Sequence, residues 1–88
     1  MHKLAVEFFG TMLLMYVILA TGNWLAIGAA LAVAVLIGEP ISSGAFNPAV
    51  VLSLYSAGRL QRRDVLPYIV CETAGAIGAL WAYKHFSH

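Results

Sequence analysis

Ile41-Ser42-Ser43-Gly44-Ala45-Phe46-Asn47-Pro48-Ala49-Val50 separates two long apolar runs. A Gly/Ser loop that ends in Asn-Pro marks a helix start. Asn47 is suited to cap it, and Pro48 fits the first helical position because its missing N–H has no partner there in any helix. The surrounding sequence is of membrane type, so this N-terminus would be a fixed positive pole with little water to screen it. A selective constriction needs a pole of that kind.

Working outward, Pro48 to about Ala57 forms an apolar helix too short to span a bilayer, so it reads as re-entrant. Gly58 ends it, and Arg59-Leu60-Gln61-Arg62-Arg63-Asp64 is the one aqueous stretch of any length. A last helix is predicted over 65–86, with Pro67 in its first turn and Trp81, Tyr83 and Lys84 at the interface. On the other side, Leu4 to about Ala20 is one apolar helix, about 25 Å long at 1.5 Å per residue. Thr21-Gly22-Asn23 breaks it and Trp24 sits where an interfacial aromatic is expected. A second helix, rich in Ala and Gly, is predicted over 25–38, and Glu39 to Phe46 is predicted as a loop.

The fold class is therefore an all-α membrane protein: one unit over 1–88, with three transmembrane helices and one re-entrant half-helix. Three crossings place the two ends of the chain on opposite sides. A re-entrant segment is tolerated only where protein buries it or where it lines a wet cavity. Residues 1–88 contain no internal repeat to supply that cover, so assembly is expected.

Composition agrees. Of 88 residues, 61% are hydrophobic and 10% charged, more apolar surface than a small soluble domain can hide. Nothing resembles a basic, aromatic-interleaved nucleic-acid surface. Residues 1 to 20 fit a cleavable leader only weakly, since no small-x-small site follows, and are kept as structure. Cys71 is the single cysteine, so no intrachain disulfide forms, and a packing role is expected for it. His2, His85 and His88 lie at the chain ends and read as solvated tails; no metal or cofactor site is expected. No nucleophile stands at workable spacing from a base, which argues against an enzyme. Gly75 with Ala79, Ala74 with Gly78, and Ala26, Ala30 and Ala34 form small-residue faces suited to close helix packing.

Three segments together resemble one half of an aquaporin or aquaglyceroporin, the major intrinsic proteins. Val6-Glu7-Phe8-Phe9-Gly10-Thr11 is similar to that family's first-helix opening, Glu-Phe-x-Gly-Thr. Ser42 to Val50 is similar to its Ser-Gly-Gly-His-Phe-Asn-Pro-Ala-Val loop, and Tyr68 to Ala76 to the Tyr-x-x-Ala-Gln-x-x-Gly-Ala of its third helix. Departures are Ser43 for a loop Gly, Ala45 for the loop His and Glu72 for the third-helix Gln. Family members also carry two such halves, inverted with respect to each other.

The resemblance implies a passive channel for water and small neutral solutes such as glycerol. Asn47, Pro48 and Ala49 would form the constriction, with two opposed half-helices disfavouring protons and cations. Carbonyls around Gly44 and Ala45 would line the pore. Gly44, Val50, and Ala26 or Ile27 would occupy filter positions, giving a wide, apolar ring without Arg or His and hence relaxed selectivity. Glu7 would brace the loop by accepting backbone N–H bonds; Glu72 is assigned a helix-packing hydrogen bond, with proton titration as the other reading. Glu39 is expected in the aqueous mouth. The expected partners are the bilayer and an inverted second copy, with such pores clustering by fours. With the N-terminus cytoplasmic, Lys3, Arg59, Arg62 and Arg63 lie inside and Lys84 outside, a bias that opposes dual topology. Alternatives are a small proton-coupled exporter working through Glu7 or Glu72, and a non-conducting subunit of a full-length channel. A plasma or cell membrane is expected.

Overall fold

A computed structural model describes residues 2–86. His88 therefore lies outside the described residues. Four helices follow in order: α1 His2–Thr21, α2 Trp24–Ser42, α3 Pro48–Ser56 and α4 Arg62–Phe86. Three of them, α1, α2 and α4, are long and apolar enough to cross a membrane, and the principal dimension of 42 Å matches a bilayer with its headgroups. Among the described residues there is no strand.

Local chemistry places the breaks. Asn23 caps α2, its side chain accepting from the N–H groups of Leu25 and Ala26 at 3.0 Å. At the far end of α3, Gly58 takes φ +76°, Arg59 N–H reaches the Leu54 carbonyl (2.8 Å) and Gly58 N–H that of Tyr55 (3.0 Å). This Schellman pair satisfies two of the carbonyls a helix end leaves open.

Two boundaries differ from the sequence reading. The helix expected to stop at Gly38 runs on to Ser42 with Pro40 inside it, so the loop shrinks to residues 43–47. Pro40 removes one intrahelical donor, but Ser43 adopts a left-handed conformation and returns its N–H to the Glu39 carbonyl at 3.0 Å. Burial of Ser42 against α1 secures that last turn, a tertiary contact that outweighs local propensity. The helix expected from Val65 begins at Arg62, which puts Pro67 inside it rather than in its first turn. Asp64 sits in the new first turn, where a negative charge suits the helix N-terminus.

α1 is the centre of the arrangement. It packs against α2 on one side and α4 on the other, and α3 rests on α4. Lys3 and Asp64 form an ion pair at 2.9 Å, while Tyr16 and Tyr83 meet edge to face near the other end, so α1 and α4 run parallel. Their close approach depends on Gly75: a Cβ there would collide with the backbone carbonyl of Phe8.

The buried positions recur at helical spacing: Glu7 and Thr11 on α1; Ala34, Gly38 and Ser42 on α2; Tyr68, Glu72, Gly75 and Ala79 on α4. These faces are polar or small. Large apolar side chains point outward instead, among them Trp24, Leu36, Leu66 and Phe86. A water-soluble domain would invert that distribution.

Candidate functional site

The loop between α2 and α3 is tied to α1 by one side chain. Glu7 is fully buried. Its Oε1 accepts the Phe46 N–H at 2.8 Å; its Oε2 accepts the Ser42 hydroxyl at 2.6 Å and the Ala45 N–H at 3.3 Å. The Tyr68 hydroxyl donates to the Ser42 carbonyl at 2.9 Å, and Thr11 Oγ1 approaches the Phe46 carbonyl at 3.5 Å. Loop donors and acceptors that cannot reach water are thus matched from α1 and α4.

Phe46 holds an unusual backbone, φ +54°, a conformation bulky side chains adopt only under tertiary control. Its N–H bond to Glu7 supplies part of that control. Its ring supplies the rest, lying over Gly10 and Gly38, where any added Cβ would overlap it. Glycine is needed at both positions for the ring to pass.

Asn47 follows in extended conformation, and its side-chain oxygen caps α3 by accepting the Ala49 N–H at 2.8 Å. Pro48 takes the first helical position. Phe46 is level with Thr11, the tenth of twenty residues in α1 and roughly 15 Å along it. The α3 N-terminus is therefore held near mid-length of the long helices. Val51 is buried beneath it with Ala45 and Tyr68, whereas Asn47, Pro48, Ala49 and Val50 are exposed.

The other sequence-derived candidates separate. Gly44 is half-buried with φ +62°. Ala45 is 4% exposed, its methyl turned into the apolar cluster, so only its backbone remains available to any open face. Ala26 and Ile27 are half-buried in the first turn of α2, about 24 Å of helix from Ser42. Glu72 is 1% exposed, and neither carboxyl oxygen has a hydrogen-bond donor. Glu39 is exposed on the last turn of α2, not in the loop, and with Ser43, Leu54 and Arg59 it lines a recess of about 260 Å³. His85 is not a free tail: its ring stacks on Trp81 at 4.2 Å and its Nδ1 meets the Trp81 carbonyl.

Ser42 and Tyr68 were not singled out from sequence as site residues. A signal existed, since Tyr68 precedes Glu72 by one helical turn and Ser42 continues the Ala34–Gly38 face.

Comparison with known proteins bears on this geometry. The family model for major intrinsic proteins matches residues 22–87. The chain is 37% identical to "glycerol uptake facilitator protein-like 6" of Lactiplantibacillus plantarum, over 98% of this chain and 44% of that protein. It is 42% identical to an aquaporin Z of Brucella melitensis, over 90% of this chain and 41% of that protein. It is 49% identical to aquaglyceroporin AqpS of Rhizobium meliloti, over 62% of this chain and 24% of that protein. The chain spans less than half the length of these relatives. No solved structure matches it. Three membrane-length helices, a capped half-helix held at mid-height and the family match agree: this is an integral, multi-pass membrane protein that belongs to the major intrinsic protein family.

Proposed function

We propose that this chain supplies one half of a passive membrane pore for water and small uncharged solutes, with Asn47, Pro48 and Ala49 at the constriction. The observation that carries this reading is the placement of α3. Its capped N-terminus is held near mid-height by the Glu7 bonds, with Val51 buried and Asn47 to Val50 exposed. In a bilayer that terminus is a positive pole facing a narrow space, unfavourable for protons and cations and neutral toward an uncharged oxygen. The relatives' names point to glycerol and water as the class of solute.

Val50 is the residue three positions after Asn47, and its side chain is apolar and 40% exposed. With Gly44 before it, the filter contribution is wide and uncharged, which favours relaxed selectivity among water and small polyols. Backbone carbonyls of Gly44 and Ala45 supply the polar side of the path. Ala26 and Ile27 act at its other end. The work is transport, not catalysis, at a plasma or cell membrane.

A pore needs an inverted second half across the open side of α3. An inverted copy of this chain fits that need, with such pores clustering by fours. The cationic end formed by Lys3, Arg59, Arg62 and Arg63 faces the cytoplasm in one orientation, and the inverted copy must be inserted against that bias.

Stopped-flow light scattering on proteoliposomes of the purified chain tests the reading. Wild type shrinks fast, with weak temperature dependence, under water and then glycerol gradients, and Asn47→Asp abolishes the fast phase. Shrinkage no faster than empty liposomes would remove the self-assembled pore and leave a subunit that needs a different partner.

A further inference from the structure

Ala5, Phe9 and Leu13 recur every four residues on the side of α1 turned away from Glu7 and Thr11. With Val33 and Ile37 of α2 they border a groove of about 310 Å³ along the α1–α2 seam, lined by apolar residues throughout. Gly10, Ala34 and Gly38 lie in its floor, and beside them lies the ring of Phe46. That ring enters the seam from the loop and ends at the groove. The outer surface and the backbone just before Asn47 therefore share one side chain.

What fills the groove follows from its shape and its ends. Phe9, Leu13, Val33 and Ile37 are exposed and form a raised rim, while Ala34, Gly38 and Phe46 are sunk beneath them. Helices associate in a bilayer by bringing small residues to the contact surface. A second copy's helix would meet the large rim first here, whereas a single hydrocarbon chain is thin enough to pass between its sides. From Ala5 to Leu13 the groove follows α1 for about 12 Å, so it lies along the membrane normal, the direction of an acyl chain. Its Ala5 end adjoins the end of the molecule joined by the Lys3–Asp64 pair, where Arg62 and Arg63 begin α4. Positive charge at that level attracts an anionic headgroup.

We propose that this groove seats one acyl chain of an anionic bilayer lipid, and that the seated chain steadies Phe46 and with it the peptide that presents Asn47. Apolar surface with no neighbouring atoms forfeits its dispersion contacts, and the chain restores them along the floor and the ring. Phe46 has need of that support, because its φ of +54° is held by tertiary contacts. Glu7 holds it from the loop side through its N–H, and the lipid holds it from the bilayer side through its ring. Phe46 is thus a positioning residue of the constriction. The bearing on solute passage rests on the pore reading, but the lipid site does not.

The test uses the full chain, reconstituted in vesicles of equal phosphatidylglycerol and phosphatidylcholine and then extracted into mild detergent for native mass spectrometry. Wild type should retain one phosphatidylglycerol per chain. Ala34→Leu fills the floor and Val33→Phe fills the rim, and each should cut retention at least tenfold. Val70→Phe, on an exposed position of α4, should leave it unchanged. Hydrogen exchange at Phe46 should be at least fivefold slower in wild type with lipid than in wild type stripped of it. In Ala34→Leu it should be slow in both states, since leucine takes the place of the chain. The proposal is overturned if no lipid is retained, if both lipids are retained equally, or if retention survives both filling variants. Exchange at Phe46 that ignores lipid overturns it too, as does a filling variant that keeps its lipid but forms a smaller oligomer, which would assign the groove to a second copy. If retention and exchange behave as expected while the osmotic assay shows no flux, the pore reading fails and the lipid site stands.

Discussion

Two consecutive stretches of the same loop differ in how complete they are. From Ser42 to Phe46 the Ser42 carbonyl, the Ala45 and Phe46 N–H groups and the Phe46 carbonyl meet partners from α1 or α4, and Phe46 fills a slot cut by Gly10 and Gly38. From Asn47 to Val50 the side chains are exposed, and the single side-chain bond is the local one by which Asn47 caps its own helix. The first stretch is built by this chain. The second is shaped by it but left for another surface to face. Damage to the inner stretch should therefore show in folding, and damage to the outer one in passage.

Removing the brace is the harshest way to break that contrast. Glu7→Ala leaves the Ala45 and Phe46 N–H groups buried without acceptors and takes from the Ser42 hydroxyl the shorter of its two acceptors. Loss of one member of a buried charged network costs about 3–5 kcal/mol. The unfolding midpoint of the detergent-solubilised chain should fall accordingly, with exchange at Ala45 and Phe46 released. Next comes the seam beneath. Gly75→Val places side-chain atoms on the Phe8 carbonyl, and because backbone cannot rotate away α1 and α4 must separate. Overpacking of this kind costs about 1–3 kcal/mol. A midpoint lowered with the Lys3–Asp64 end intact would locate the damage at the seam.

Much of this was legible in the residues. Asn47-Pro48 announced a capped helix start, Gly58 its stop, and the apolar run lengths the three spans. The ends of α2 and α4 were not legible. Pro40 and the Arg62-Arg63-Asp64 triplet read locally as loop, and only contacts distant in sequence, Ser42 with Glu7 and Asp64 with Lys3, make them helical. Phe46 was opaque for the same reason, since nothing local asks a phenylalanine to take φ +54°. The burial of the Ala45 methyl with Val51 and Tyr68 was not legible either, since the motif spoke only for its carbonyl.

The outer stretch gives the sharper test. Asn47→Ala loses one capping bond, a stability effect of about 1 kcal/mol. Glu7, Ser42 and Phe46 keep their bonds, so exchange there should stay slow. Water flux in proteoliposomes should nonetheless fall to the level of empty vesicles. A variant that keeps full flux would show that the exposed amide has no part in the path.

The smallest effect is expected farthest from the loop. Asp64→Asn removes the ion pair with the half-exposed Lys3 while leaving a polar side chain in the first turn of α4. Pairs so placed contribute about 0.2–1 kcal/mol and are screened by salt. The wild-type and variant midpoints should differ slightly at low ionic strength and converge at high salt. Exchange at Phe46 should not move. If it did, the seam between α1 and α4 would be transmitting the loss as one rigid body, and the inner stretch would owe its order to the whole length of that seam as well as to Glu7.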